Sequence, residues 1–235
     1  MKLTRIGLFT VLLAVVVANA AAASKECKDL PSASQIKTLL QQAALTSNGG
    51  TVGGLFGGTR MWGAVVNREG ELCAIATSTN DPTQVWPGSE LISEAKAYTA
   101  NAFSLDVLAL STARLYTFTQ PGHSLWSLGQ ANLQLRFQDD LRGGQIFFGG
   151  GVPLYKNGKI IGGLGVSGDT SCADHEIAKR VRNLAGLNPP GGQLDDDIVY
   201  SPPDPPSVFA HPVCLNTYRN GVFIGNEQPE SYPHP

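Results

Sequence analysis

The chain predicts an α+β fold in which a central antiparallel sheet carries helices packed against it, and three observations point there. Two short apolar runs meet at a glycine turn, twice, at 61–78 and 152–166. Segments of helical periodicity lie before, between and after these hairpins. Interspersed hairpins and helices favour an antiparallel sheet over a doubly wound parallel one.

The first 23 residues read as a secretory signal peptide: basic Lys2 and Arg5, an apolar run from Ile6 to Ala18, and small residues at Ala18 and Ala20–Ala23. Cleavage after Ala20 or after Ala23 satisfies the small-residue rule. The run is short for a membrane anchor, so no span is expected once it is removed, and the expected location is secreted or periplasmic. The whole chain has 17 basic and 19 acidic residues. Losing the two bases of the signal leaves 15 against 19, a balance of −4 that argues against nucleic acid as a partner.

From Ser32 to about residue 47, a capping-box pair (Ser32, Gln35) precedes Ile36, Leu39, Leu40, Ala43 and Ala44 at helical spacing, and Gly49-Gly50 ends the run. Met61–Asn67 and Glu71–Ser78 form the first hairpin through Arg68-Glu69-Gly70. Ser89 opens a helix to Phe103 whose alanines allow close approach to a neighbour. A second helix is expected from about Asp106 to Tyr116, and a short one from Ser124 to Leu135. Asn157-Gly158 joins Val152–Lys156 to Lys159–Val166 in the second hairpin. Ser171 with Asp174 caps a helix carrying Ile177, Val181 and Leu184. The proline-rich segment 188–235 is expected to wrap the body as an extended strap, with a last hairpin at Asn220-Gly221.

Four cysteines allow three complete pairings in an oxidising compartment. Cys214 lies in a tail with few other anchors, which favours a Cys172–Cys214 staple, and Cys73 reads as a buried thiol within a strand. The four histidines show no zinc spacing on one helix.

Residues 149–187 are the densest in chemistry. Strand, glycine turn at Gly168 and capped helix in succession aim backbone N–H groups at one spot that could hold a carboxylate or phosphate; a purely conformational turn is the equal alternative. His175 falls in the first turn of that helix, where the dipole opposes protonation and leaves a lone pair for a metal such as haem iron, while the neighbouring Asp174 acts in the opposite sense. A hydrogen-bonded histidine with no ligand is the plain alternative. His123, in PGHSLW near Tyr116, Phe118 and Trp126, combines an imidazole with flat apolar side chains as a haem pocket does; the competing reading is a loop histidine beside core aromatics. His211 and His234 are weaker candidates. Lys96 could reach an acidic ligand group or snorkel to solvent. Asp195-Asp196-Asp197 reads as a solvated acidic turn. No nucleophile elbow is in register, so no catalytic residue is assigned.

The motifs WGAVVNREGELCAIA (62–76), SELISEAKAYTANAF (89–103) and GGGVPLYKNGKIIGGLGVSGDTSCADHEIA (149–178) resemble the GlcG/HbpS haem-binding-like family, which includes the C-terminal domain of PduO-type proteins. NAFSLDVLALSTARLY, QPGHSLW and HPVC resemble an exported subgroup. The resemblance implies a profilin-like fold for residues 24–187, homo-oligomerisation as in several relatives, and haem or a similar tetrapyrrole as the small-molecule ligand. His123 stands where glycine is usual in that subgroup. The leading expectation is an exported haem binder using some of His175, His123, Lys96, Gly168 and Asp174, with His175 on the metal. An enzyme acting on haem or a small organic acid is one alternative, and a structural or interaction module is the other.

Overall fold

The computed structural model describes residues 27–135 and 144–228; the expected signal segment and His234 lie outside them. The elements are α1 (Ala33–Ala43), β1 (Trp62–Asn67), β2 (Leu72–Thr77), α2 (Ser89–Phe103), α3 (Trp126–Leu135), β3 (Gly151–Lys156), β4 (Lys159–Ser167), α4 (Ser171–Leu184) and four short tail strands. The four long strands form one antiparallel sheet in the order β2-β1-β4-β3. The fold class expected from the hairpins is therefore the one observed.

Strand alternation sorts the side chains onto two faces. On one, Val65, Leu164 and Val152 stand in register across β1, β4 and β3 and meet Ile36 and Leu40 of α1 and Ile177 and Val181 of α4 in the main core. On the other, Ala64, Gly165 and Gly151 make a row of minimal side chains, and α2 lies directly on it. A Cβ on Gly165 would stand 1.9 Å from the Ser93 carbonyl oxygen, and one on Gly151 2.5 Å from that of Lys96. The alanines of α2 and the glycines of β4 are two halves of one close contact.

Local chemistry fixes the edges. Ser32 and Gln35 form the expected capping box. Asn157 and Gly158 both take positive φ, 53° and 76°, as do Asn220 and Gly221 in the tail hairpin between β7 (Thr217–Arg219) and β8 (Val222–Gly225), the geometry that matches strand twist in a two-residue turn. The cap of α4 sits one residue earlier than expected: Thr170, not Ser171, accepts from the Ala173 N–H.

Residues 106–116 correct the sequence reading more substantially. Instead of one helix, the chain makes a Leu105–Leu108 turn and 3-10 segments at Thr112–Leu115 and Thr117–Thr119. The Ser104 hydroxyl accepts from the Leu110 N–H at 3.0 Å, so a short polar side chain takes a donor the helix ladder would have used, and the Asp106 carboxylate accepts from the Ile160 N–H of β4 at 2.9 Å, tying the turn to the sheet. Cys73 is likewise not a free thiol but is bonded to Cys27, and Cys172 is bonded to Cys214. The tail strands β5 (Val199–Tyr200) and β6 (Ala210–His211) pair in parallel.

Candidate functional site

The β4–α4 junction carries four of the five sequence candidates, Lys96, Gly168, Asp174 and His175, and among these Lys96 and Asp174 satisfy each other. Lys96 reaches from α2 past Gly150 with its Nζ 2.7 Å from Asp174 Oδ2 and 3.0 Å from the Val166 carbonyl oxygen, 5.0 Å over the Phe148 ring. It is fully buried and does not snorkel. Burial pushes the Asp174 carboxyl up to about 6 against the pull of Lys96, and burial draws Lys96 down against the pull of Asp174. Gly168, with φ 153°, has no room for a side chain: a Cβ there would lie 2.0 Å from the Arg60 carbonyl oxygen.

The glycine turn does not form the expected anion cradle from its own N–H groups: a cluster of donors is present there, but three of its four come from the loop 55–58, and the protein fills it with its own carboxylate. Asp169 Oδ1 accepts from the N–H groups of Leu55 (2.6 Å) and Thr170 (2.7 Å), and Oδ2 from Phe56 (2.8 Å) and Gly58 (3.4 Å). Its own N–H donates to Asp174 Oδ1 at 2.9 Å. The glycine-rich segment before β1 is thereby tied to the start of α4, and these donors are no longer offered to a ligand. Asp169 stood in the quoted GVSGD motif, yet nothing local marked the loop of residues 55–58 as its partner, more than a hundred positions away.

His175 is 1 % exposed, with Nε2 3.2 Å from Asp197 Oδ1. Asp197 also receives Lys179 Nζ at 2.9 and 3.0 Å and the Ile198 N–H at 2.9 Å. Burial opposes its ionisation, but the bonds from His175 and Lys179 hold it far below the ordinary carboxylate range. Arg182 forms a two-pronged pair with Asp196 at 2.6 and 2.9 Å. The acidic triplet is thus no solvated turn: two of its three carboxylates neutralise α4. Nδ1 of His175 is buried with no hydrogen-bond partner, but the whole side chain is enclosed, with the backbone of Gly149 close against its Cβ. A flat macrocycle does not fit against His175 in this packing.

His211 is 3 % exposed. Its Nδ1 donates to the Pro212 carbonyl at 2.7 Å, its Nε2 accepts from the Gly149 N–H at 3.2 Å, and Tyr116 packs on its ring at 5.1 Å. Tyr116 therefore serves His211 rather than His123. His123 lies on the surface, in a turn held by Leu125 N–H to Phe118 O (2.8 Å) and Trp126 N–H to His123 O (3.2 Å). Phe118 meets Phe209 edge-on at 5.7 Å, the Arg114 guanidinium lies 5.7 Å over Phe209, and Trp126 is 39 % exposed. This face has an imidazole, aromatic side chains and a guanidinium, a donor set that fits an iron tetrapyrrole with acidic side arms. Elsewhere, Phe56, Arg60, Trp86 and Gly168 line a cavity of about 170 Å³ that holds no imidazole.

A profile of the family described as "Haem degrading protein HbpS-like" matches residues 57–182. The chain belongs to this family. Among relatives of this HbpS-like chain, an uncharacterised 15.0 kDa protein of Citrobacter freundii is 39 % identical over 88 residues, covering 37 % of the chain and 52 % of that protein. The corrinoid adenosyltransferase PduO of Salmonella typhimurium is 35 % identical over 107 residues, 46 % of the chain and 27 % of PduO. The chain thus spans about half or less of these curated relatives. A crystal structure of a PduOC–haem complex aligns with a TM-score of 0.49 at 24 % identity, covering 68 % of the chain and 94 % of its own. Among the described residues of this HbpS-like chain, no helix is long and apolar enough to cross a membrane.

Proposed function

We propose that this HbpS-like chain binds haem, or a closely related iron tetrapyrrole, on the open face around residues 114–126 and 208–209, with His123 as the axial ligand. One observation carries the reading: of the described histidines, His175 and His211 are buried and held by protein partners, while His123 alone is exposed. Haem iron takes an imidazole nitrogen, flat apolar side chains cover the macrocycle, and a guanidinium pairs with propionates. His123, then Phe118 and Trp126, then Arg114 supply these in turn. The family's description as haem degrading supports the choice of ligand. The start of the chain and two disulfides support an exported, oxidising setting.

Titration of the purified chain with hemin tests it. A shifted Soret band that is lost in His123→Ala and kept in His175→Ala, with both variants folded by circular dichroism, is the expected result. Retention of the wild-type spectrum by His123→Ala overturns the assignment. Because the family description names degradation, the loaded protein is also mixed with ascorbate under oxygen. Bleaching with catalytic turnover makes it an enzyme on haem, and a stable Soret band makes it a binder.

A further inference from the structure

The bonded pair Cys172 and Cys214 lies against His211, and the three ligand atoms fall within 4.8 Å of one another. All three residues are buried. Three features of the surroundings favour thiolates and a metal over plain cross-linking. Cys172 is the second residue of α4, where the helix N-terminus stabilises negative charge on sulfur. Cys214 Sγ accepts from the Cys172 N–H at 3.2 Å and lies 3.3 Å from Ser171 Oγ, so the sulfur released on reduction already has two donors. His211 is held in one tautomer by its Nδ1–H bond to the Pro212 carbonyl, which leaves Nε2 as the acceptor nitrogen; it takes the Gly149 N–H at 3.2 Å, a bond that a metal would replace, and lies 3.4 Å from that same Ser171 hydroxyl. An imidazole oriented through its far nitrogen by a backbone carbonyl is the outer-shell arrangement of metal-bound histidines.

We propose that, once the Cys172–Cys214 disulfide is reduced, the two thiolates and His211 Nε2 bind a zinc ion, so that the metal replaces the disulfide as the staple between α4 and the tail. In the first step a dithiol reductant gives two electrons and two protons to the disulfide: the S–S bond breaks, two thiols form, and the reductant closes its own disulfide. Zinc then displaces one proton from each thiol. Tetrahedral zinc with sulfur at about 2.3 Å sets its two thiolates about 3.8 Å apart, a separation that side-chain rotation reaches from a Cα–Cα distance of 5.9 Å. Two sulfurs and one imidazole are a borderline-soft set that suits a d10 cation better than calcium or magnesium. Ser171 Oγ or water completes the fourth position.

The experiment uses the full chain in a Cys27→Ser/Cys73→Ser background, so that Cys172 and Cys214 are the only thiols. Reduced and oxidised forms are titrated anaerobically with cobalt(II), followed by zinc. The expected result is one equivalent of cobalt bound by the reduced form only, with a thiolate-to-cobalt charge-transfer band and tetrahedral d–d bands that zinc abolishes. His211→Ala should lose the tetrahedral d–d pattern. Zinc should raise the thermal midpoint of the reduced form and leave that of the oxidised form unchanged. If the reduced protein, folded or not, gives no cobalt band and zinc restores neither stability nor structure, the site does not exist. Bands unchanged in His211→Ala remove the histidine and overturn the proposal as stated.

Discussion

Asp169→Asn is the most direct test of how the junction before α4 is held. The amide has the carboxylate's shape but one acceptor oxygen in place of two. Oδ1 carries the two short bonds, from Leu55 at 2.6 Å and Thr170 at 2.7 Å, so the surviving oxygen should take that position. The amide nitrogen then faces the N–H groups of Phe56 and Gly58, formerly at 2.8 and 3.4 Å. A bond to a charged acceptor contributes about 1.5–3 kcal/mol. One strong bond lost, one weak bond lost and two bonds deprived of the charge together cost about 3 kcal/mol. Urea unfolding should show the midpoint fall with little change in slope, and the Leu55 and Phe56 amides should exchange faster than in the wild type. A loss under about 1 kcal/mol with unchanged exchange at both amides would refute the claim that this carboxylate organises the loop.

Three other outcomes follow from the same geometry. Lys96→Met should destabilise by about 3–5 kcal/mol, because it leaves a buried carboxylate unpaired; adding Asp174→Asn should recover more than half of that in the same urea assay. Gly165→Ala should cost about 3 kcal/mol, read as a lowered thermal midpoint, since its methyl would press on the Ser93 carbonyl and the α2 backbone. In the oxidised protein, burial lowers His211 to about 4 while its bond to Pro212 resists. The unfolded chain, near 6.5, then binds the proton more readily between those values, so this contribution is present above about pH 6.5 and lost as pH falls toward 4. Asp174, raised to about 6, works in the opposite sense over part of that window. The comparison is therefore between wild type and His211→Gln, whose difference in unfolding free energy should change by about 3 kcal/mol from pH 7 to pH 4; a parallel pH dependence would contradict the assignment.

Most of the architecture was legible because it depends on short-range pattern. Asn157-Gly158 and Asn220-Gly221 fix hairpins by backbone conformation alone, and Ser89–Phe103 is bounded as the periodicity predicts. The 106–116 segment failed where Ser104 binds the Leu110 N–H that a helix would have used and Asp106 is drawn to the Ile160 N–H of the neighbouring strand. The site was legible only as a list of chemical groups. Lys96 finds Asp174 78 positions away and His175 finds Asp197 22 positions on, pairings that no periodicity encodes. Asp196 and Asp197 looked solvated because their partners, Arg182, Lys179 and His175, sit on a helix whose polar stripe normally faces water. The Cys172–Cys214 staple was legible for a simpler reason: a tail with few other anchors needs one.

The polar side of α4 has a consequence for the order of events on the ribosome. Glu176, Lys179, Arg180 and Arg182 are all buried, and Asp196, Asp197 and Asn220 supply partners for Arg182 and Lys179. Those partners are translated after the helix they neutralise. A nascent chain halted near residue 190 would hold Arg182 without its carboxylate and Lys179 with Glu176 alone, so the helix gains its full set of neutralising contacts only after Asp196 and Asp197 have emerged.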